Sequence, residues 1–134
     1  DENSINYLPH NFVKNCVAYT GTHDNEPVLG WMETAAETDV SYAKEYLRLS
    51  KEEGYHWGMM RALFATVADT TIVQAQDILG LGSESRMNAP STVGKNWKWR
   101  VTEEQLSEEL KLQIRKLTKM YGRINWQWDD KQDA

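Results

Sequence analysis

The chain has 134 residues, 40% of them hydrophobic, and a formal net charge of -5. This length allows one domain with a substantial core, and the acidic balance argues against a nucleic-acid binder, whose surface must be basic to release counterions. No apolar stretch approaches the roughly 20 residues that cross a bilayer, so a membrane is not an expected partner either.

The first residues and the cysteine content bear on the setting of the protein. The chain opens at Asp1 in a polar stretch rather than at Met, which is typical of a processed or truncated piece. The single Cys16 cannot form an intrachain disulfide, and proteins without disulfides are typical of reducing compartments. We therefore expect a cytoplasmic protein.

Two short segments have the composition of buried strands. Residues 17–20 are an apolar run that Gly21 closes, which predicts a strand of a parallel sheet. Residues 70–73 are Thr, Thr, Ile and Val, and these β-branched side chains predict a second strand.

Three helices are predicted between the two strands. Pro27 is suited to a first helical turn and predicts a short helix over residues 28–36. A Thr or Asp N-cap, with Gly54 as the stop, predicts a second helix over residues 38–53. Apolar side chains recur at helical spacing over residues 57–68, which predicts the third.

A long irregular segment and a last helix are predicted after the second strand. One helical turn is expected over residues 77–79, and a loop over residues 83–101; a loop of this length is usually functional or disordered. Thr102 and Gln105 then match a capping box. Apolar side chains follow at steps of three and four as far as Gly122, which predicts a helix that Gly122 ends.

The order of strand, helices, strand, loop and helix favours an α/β fold, in which crossovers place helices outside parallel strands. Two parallel strands do not form a stable sheet alone, and a (β/α)8 barrel needs roughly 250 residues. We therefore expect residues 1–134 to be a single helix-rich fragment of such a barrel, with about two parallel strands.

A His-Asp pair, His23 and Asp24, follows the first predicted strand. Local sequence alone favours a turn in which Asp24 caps the next helix. A metal-dependent phosphohydrolase also uses such a pair, but it needs further ligands, and only His10 and His56 remain as histidines. We therefore expect no metal. Asp77, beside the second strand, is expected to be a structural cap.

Two long sequence blocks belong together. The first is YTGTHDN at residues 19–25 with LGW at residues 29–31. The second is QDILGLGSESRMNAP at residues 76–90, followed by GKNWKWR at residues 94–100. A weaker third, YLPHN, covers residues 7–11. In this order the blocks resemble the 4-α-glucanotransferases, which are also called amylomaltases or disproportionating enzymes and are relatives of the α-amylases.

The resemblance implies a retaining transglycosylase that moves α-1,4-glucan segments between maltooligosaccharides without a cofactor. The reaction needs a carboxylate nucleophile and a second carboxyl group as acid/base, roughly 5–5.5 Å apart. In the family both lie upstream of the residues that match here. The resemblance therefore implies the C-terminal part of the catalytic barrel, active in the parent enzyme and inactive in isolation.

The resemblance also implies roles for four residues. Asp24 matches the family's third acid, which binds sugar hydroxyls at the cleaved residue and stabilises the oxocarbenium-like transition state. His23 matches a histidine that bonds the same sugar, and Asn88 an asparagine near the bound glucan. Arg86 is either a substrate contact or a residue that holds its loop in place. The family often has Asp-Thr-Thr where residues 26–28 are Glu-Pro-Val, which bears on loop shape and acceptor preference.

Other readings remain open at the level of sequence. The isolated piece is alternatively a non-catalytic carbohydrate-binding or scaffold fragment, or an unrelated helical interaction domain. Trp97 and Trp99 either stack on sugars or pin their loop to the core, and we expect the second. A truncated barrel exposes strand edges and apolar faces. Its expected partners are the rest of the parent barrel or, for the isolated fragment, further copies of itself.

Overall fold

The computed structural model of the chain describes residues 5–125 and residue 127. The chain divides into two compact units, Asp1–Arg100 and Val101–Ala134. Within the described residues, no helix is long and apolar enough to span a membrane. The strands and α-helices in chain order are β1 (Val17–Tyr19), α1 (Val28–Thr34), α2 (Glu37–Tyr46), α3 (Tyr55–Phe64), β2 (Thr70–Ile72), α4 (Ala75–Ile78) and α5 (Glu108–Met120). Within the described residues, short 3-10 helices cover Ile5–Tyr7, Pro9–Asn11 and Ser83–Ser85.

The two strands form a parallel sheet that is covered on one face only. Ala18 of β1 lies opposite Thr71 of β2, and Ala18 is buried. Neighbouring positions point to the other face, where Val17, Tyr19 and Ile72 are each more than half exposed. Parallel sheets are ordinarily buried on both faces. The exposed face is therefore the one that a closed barrel would cover with further strands.

Helix α1 follows β1 after a loop and packs close to the 3-10 helix Ser83–Ser85. Val28 and Gly30 are its buried residues. A Cβ atom at Gly30 would lie 2.6 Å from Oε2 of Glu26 and 2.6 Å from Oγ of Ser83, with the Ser83 backbone nitrogen at 3.1 Å. A larger residue would require the Glu26 and Ser83 side chains to move and the Ser83 backbone to give slightly, so α1 packs closely on this segment.

Helix α2 ends earlier than its sequence pattern predicts. It stops at Tyr46 rather than near residue 53, because Arg48 adopts a left-handed conformation with φ of 56°. The Leu49 amide then donates to the Lys44 carbonyl (2.9 Å) and the Arg48 amide to the Glu45 carbonyl (3.3 Å). These are the two hydrogen bonds of a Schellman stop. The predicted N-cap is also wrong, because Ala36 holds that position without a side-chain bond.

Helix α3 contributes several buried apolar side chains to the core of the first unit. Met60, Leu63 and Phe64 are buried, as their helical spacing predicts. The helix ends at Phe64 rather than at residue 68, so Val67 lies beyond it and is 59% exposed. The helix predicted over residues 57–68 therefore extends too far at its C-terminal end.

The last helix begins later than predicted, because a separate turn uses the predicted capping box. Thr102 N donates to Gln105 Oε1 (2.9 Å) and Gln105 N to Thr102 Oγ1 (3.4 Å). Helix α5 itself begins at Glu108, with Ser107 Oγ as the cap that accepts from the Leu110 amide. It ends at Met120 with Tyr121 as its C-cap, and Gly122 follows with a φ of 66°, as its predicted role as the stop requires.

His56, near the start of α3, has a pKa that depends on its burial. The imidazole of His56 packs closely against two glycines. A Cβ atom at Gly54 would lie 2.9 Å from the Cε1 atom of His56, and a Cβ atom at Gly80 would lie 3.0 Å from the same atom. Burial lowers the pKa of His56 below its ordinary value of 6.5, and the Asp77 carboxylate opposes this with a smaller effect. Since the folded pKa is below the unfolded one, the folded state binds fewer protons. Stability present above pH 6.5 is then lost as the pH falls below it.

We expect an NMR titration of the imidazole signals to give a midpoint below 6.5 for His56. Replacing Asp77→Asn removes the charge that raises this pKa, so the midpoint should fall further in that variant. A midpoint that rises in Asp77→Asn would contradict the assignment of Asp77 as the opposing charge.

Candidate active site

The residues of the candidate site lie in two loops that follow the two strands. The loop over residues 20–27 follows β1 and carries His23 and Asp24, while Arg86 and Asn88 lie beyond β2 and α4. Because β1 and β2 are parallel, their carboxyl ends meet at one edge of the sheet. In (β/α)8 barrels this edge is where active sites are built.

The loop after β1 is a tight turn held by its own polar side chains. Asn25 Oδ1 accepts from the Thr22 amide (2.8 Å), and the Asn25 amide donates to the Thr22 carbonyl (3.0 Å). The Asp24 amide donates to Thr22 Oγ1 (3.3 Å). Such side-chain bonds to nearby backbone are typical of Asn and Thr in turns.

Asp24 does not cap helix α1, which corrects the role that local sequence alone favours. The N-cap position is Pro27, with no side-chain cap. The amide of Val28 instead donates to Oδ1 of Asp77 (2.7 Å). Asp77 is thus a structural cap, as predicted, acting on a helix 49 residues earlier in the chain. Asp24 is left with a different set of contacts.

The side chain of Asp24 contacts both neighbouring site residues. Asn88 Nδ2 donates to Asp24 Oδ1 (2.7 Å), and His23 Nε2 lies 3.3 Å from the same oxygen. The backbone amide of Asn88 also donates to the backbone carbonyl of His23 (3.0 Å). The side chains of His23 and Asp24 are 56% and 45% exposed. A half-exposed carboxylate held in this way is a strong acceptor for hydroxyl groups.

Arg86 joins the two loops through all three of its nitrogens. Its Nη1 donates to Oε1 of Glu26 (2.7 Å), its Nη2 to the carbonyl of Asp24 (2.6 Å), and its Nε to the carbonyl of Asn88 (2.9 Å). Arg86 and Glu26 are both mostly buried. The Arg86 guanidinium therefore contacts the backbone carbonyls of Asp24 and Asn88, whose side chains are hydrogen-bonded to each other.

The loop that carries Asn88 is ordered by internal hydrogen bonds rather than by helix or strand. Asn96 Oδ1 accepts from the Ala89 amide (3.0 Å), and the Trp97 amide donates to the Met87 carbonyl (2.6 Å). Trp97 has a left-handed φ of 64°, and its ring lies 5.1 Å from that of His23. Trp97 is 52% exposed and packs on the site residue His23. The prediction that Trp97 pins its loop to the core is therefore wrong.

Sequence reasoning missed the contacts of two acidic residues, Glu26 and Asp77. Glu26 stands at a position where the chain departs from the usual pattern, and its Oε1 pairs with Arg86. Its other oxygen, Oε2, is buried without a hydrogen-bond partner. Asp77 lies within the second sequence block, and its side chain is fully buried. One signal was available in the sequence. Asp77 is a charged residue inside a block that matches the family, and Glu26 is a charged residue where the chain departs from the family pattern.

The acidic and histidine side chains of the site do not form a cluster suited to a metal ion. Over residues 5–125 and residue 127, no group of three or more His, Cys, Asp or Glu side chains lies close enough together to hold one.

The chain is similar to known proteins along most of its length. The family profile described as 4-alpha-glucanotransferase matches residues 1–107. The 4-alpha-glucanotransferase of Clostridium butyricum is 50% identical over 123 residues, which is 91% of this chain and 25% of that protein. The 4-alpha-glucanotransferase of Aquifex aeolicus is 42% identical over 118 residues, which is 87% of this chain and 24% of that protein.

A solved structure agrees with the sequence comparisons. The amylomaltase from Streptococcus agalactiae in complex with acarbose matches with a TM-score of 0.86 and 44% identity, over 92% of this chain and 25% of that one. The expected fold, an α/β helix-rich part of a (β/α)8 barrel with two parallel strands, is confirmed. The chain spans about a quarter of the length of these relatives. By these matches the chain belongs to the 4-alpha-glucanotransferase family.

Proposed function

We propose that this chain is part of a retaining 4-α-glucanotransferase, which moves α-1,4-glucan segments between maltooligosaccharides, and that it supplies the carboxylate that stabilises the transition state. The observation that carries the proposal is the 2.7 Å hydrogen bond between Asn88 and Asp24. It joins the two family blocks at the edge of the sheet where barrel enzymes bind substrates. Membership of the family supports the reaction class.

In this proposal Asp24 binds hydroxyl groups of the sugar whose bond is cleaved. Asn88 and His23 both lie on its Oδ1 atom, so the carboxylate is held in one orientation before substrate arrives. A fixed negative charge beside an oxocarbenium-like centre lowers the barrier without reorganisation at the moment of reaction. His23 and Asn88 have further polar atoms for the same sugar.

Arg86 is proposed to hold the two loops together rather than to contact the glucan. Each of its nitrogens already donates to the chain: to Glu26, to the Asp24 carbonyl and to the Asn88 carbonyl. Three of its five N–H groups are thus used within the chain, and its side chain is mostly buried, which favours a structural role over a substrate contact. Its contribution is to fix the distance between Asp24 and Asn88.

The nucleophile and the acid/base are proposed to come from other parts of the complete protein that carries this chain. The exposed sheet face with Val17, Tyr19 and Ile72 supports this, because apolar strand residues need a covering layer. In the complete protein, we propose that the rest of the barrel covers this face. In the isolated chain the same face is proposed to cause self-association. We further propose a cytoplasmic enzyme that uses no cofactor.

The test compares the complete protein with the isolated chain on the same substrate. With maltotriose, the complete protein should form both shorter and longer maltooligosaccharides, because a glycosyl-enzyme intermediate is passed to a sugar acceptor rather than to water. The isolated chain should form none. Chromatography of the products measures both. Glucose and maltose without longer products would indicate a hydrolase, and transfer by the isolated chain would contradict the placement of the nucleophile elsewhere.

A further inference from the structure

The loop that carries His23 and Asp24 is closed at both ends by one buried carboxylate. Oδ2 of Asp77 accepts from the hydroxyl of Thr20 (2.6 Å), directly after β1. Oδ1 accepts from the amide of Val28 (2.7 Å), the first residue of α1. We propose that Asp77 is a positioning residue for Asp24. This rests on the proposed function, since it concerns the geometry of that same site.

The burial of Asp77 makes these two bonds hard to release. Its side chain is fully buried, and a buried carboxylate is costly unless donors satisfy it. The two donors shown for it, the Thr20 hydroxyl and the Val28 amide, belong to the ends of the Asp24 loop. If either end moved away, the charge would lose a donor in a place that water does not reach. The loop ends are therefore held by the cost of leaving that charge unpaired.

The residue beside Asp77 holds the other loop of the site. Nε2 of Gln76 donates to the carbonyl of Ser85 (3.1 Å), and Ser85 Oγ donates to the Gly82 carbonyl (2.8 Å). Gln76 and Ser85 are both buried, and Arg86 follows Ser85 directly. Two adjacent side chains of α4 thus fix one loop each. The short helix sets where Asp24 and Asn88 meet.

Positioning of this kind affects the transition state more than substrate binding. A displacement of about 1 Å at a reacting centre costs about a hundredfold in rate. An asparagine side chain at position 77 has nearly the same shape, but it has one acceptor oxygen in place of two. We expect Asp77→Asn in the complete protein to lower kcat on maltotriose about tenfold to a hundredfold, with KM changed less than about threefold.

The variants are chosen to separate positioning from general stability. Thr20→Val removes one donor and leaves the charge and the other bond, so it should lower kcat less than Asp77→Asn. The double variant should lose less than the product of the two single losses, because both substitutions affect the bond between Thr20 and Asp77. Val40→Ala removes buried apolar surface from α2 and should lower the melting temperature with kcat unchanged. Asp77→Asn in an Asp24→Asn background should cost little further rate.

A readout that does not depend on activity is hydrogen exchange of the segment 20–28, measured by mass spectrometry on the complete protein. Exchange should be faster in Asp77→Asn than in the wild type, and unchanged in Val40→Ala. Since an asparagine could still donate to the Thr20 hydroxyl, Asp77→Ala, which removes both acceptors, is measured as well; unchanged exchange in Asp77→Ala would overturn the proposal that Asp77 holds the two loop ends. Faster exchange with kcat no lower than in Val40→Ala would overturn its role in positioning. If the wild-type protein forms no products longer than maltotriose, the proposed function is overturned. The exchange rates would still show whether Asp77 holds the two ends of the loop.

Discussion

Replacement of Asp24→Asn in the complete protein is expected to lower kcat by about 10²–10³-fold and to leave the fold intact. The amide oxygen of the substituted side chain can still accept from Asn88 Nδ2, which bonds Asp24 at 2.7 Å in the native chain. Only the negative charge is removed, and that charge is what the proposal assigns to the transition state. Each factor of ten corresponds to about 1.4 kcal/mol of transition-state stabilisation. Initial rates on maltotriose measure the loss, and thermal melting reports on the fold.

The matched control for this variant is Asp69→Asn. Asp69 is exposed and lies just before β2, at the end of the strand opposite the candidate site. The chemical change is the same, so loss of one surface charge is controlled for, and turnover should stay within about twofold. Near-normal turnover in Asp24→Asn would refute the catalytic role of Asp24. An equal loss in both variants would show that charge in general, and not this carboxylate, matters.

Replacement of Arg86→Lys is expected to lower both kcat and stability. Lysine has one ammonium group and cannot reproduce the planar guanidinium, which in the native chain donates to Glu26, Asp24 and Asn88. Loss of part-buried hydrogen bonds to a charged partner and to two carbonyls costs about 1–3 kcal/mol of unfolding free energy. Because the two loops would then shift relative to each other, we expect kcat to fall about tenfold to a hundredfold.

The pattern of these losses separates the two roles that the sequence leaves open for Arg86. A glucan contact would raise KM and leave the melting temperature unchanged, whereas a residue that holds the loops lowers kcat and the melting temperature together. Glu26→Gln should reproduce part of the loss, and its combination with Arg86→Lys should be less than additive. Arg48→Lys, at an exposed arginine after α2, is the matched control and should change neither quantity. A pure KM effect in Arg86→Lys would contradict the proposal.

The strands and the first helix could be predicted closely because their signals are local. Residues 70–72 are β-branched, and Pro27 marks the start of α1. The end of α2 could not be predicted, since it depends on Arg48 in a left-handed conformation, which non-glycine residues rarely adopt. The predicted start of α5 is too early because Thr102 and Ser107 both act as caps, and only Ser107 begins the helix.

The candidate site shows where local patterns stop being informative. His23, Asp24 and Asn88 are identified by likeness to a family, and the sequence has no other sign that Asn88 lies beside the His-Asp pair. The contacts between the two loops join residues 60 or more positions apart, such as Arg86 with Glu26 and Asn88 with Asp24. The sequence predicts a capping role for Asp77 without its target, which is a helix far earlier in the chain. Pairings of this kind are set by strand order and crossovers rather than by spacing.

The near contact of α1 with the 3-10 helix at Ser83 has a consequence for how such enzymes diverge. A Cβ atom at Gly30 would lie 2.6 Å from Glu26 Oε2, 2.6 Å from Ser83 Oγ and 3.1 Å from the Ser83 backbone nitrogen, so a side chain there would displace Glu26 and press on the Ser83 segment. Because Glu26 also pairs with Arg86, whose guanidinium donates to the carbonyls of Asp24 and Asn88, a change at Gly30 or Glu26 would reach the acid of the site. Sequence change behind the site is therefore constrained by the position of that acid, and we expect Gly30 to tolerate substitution poorly.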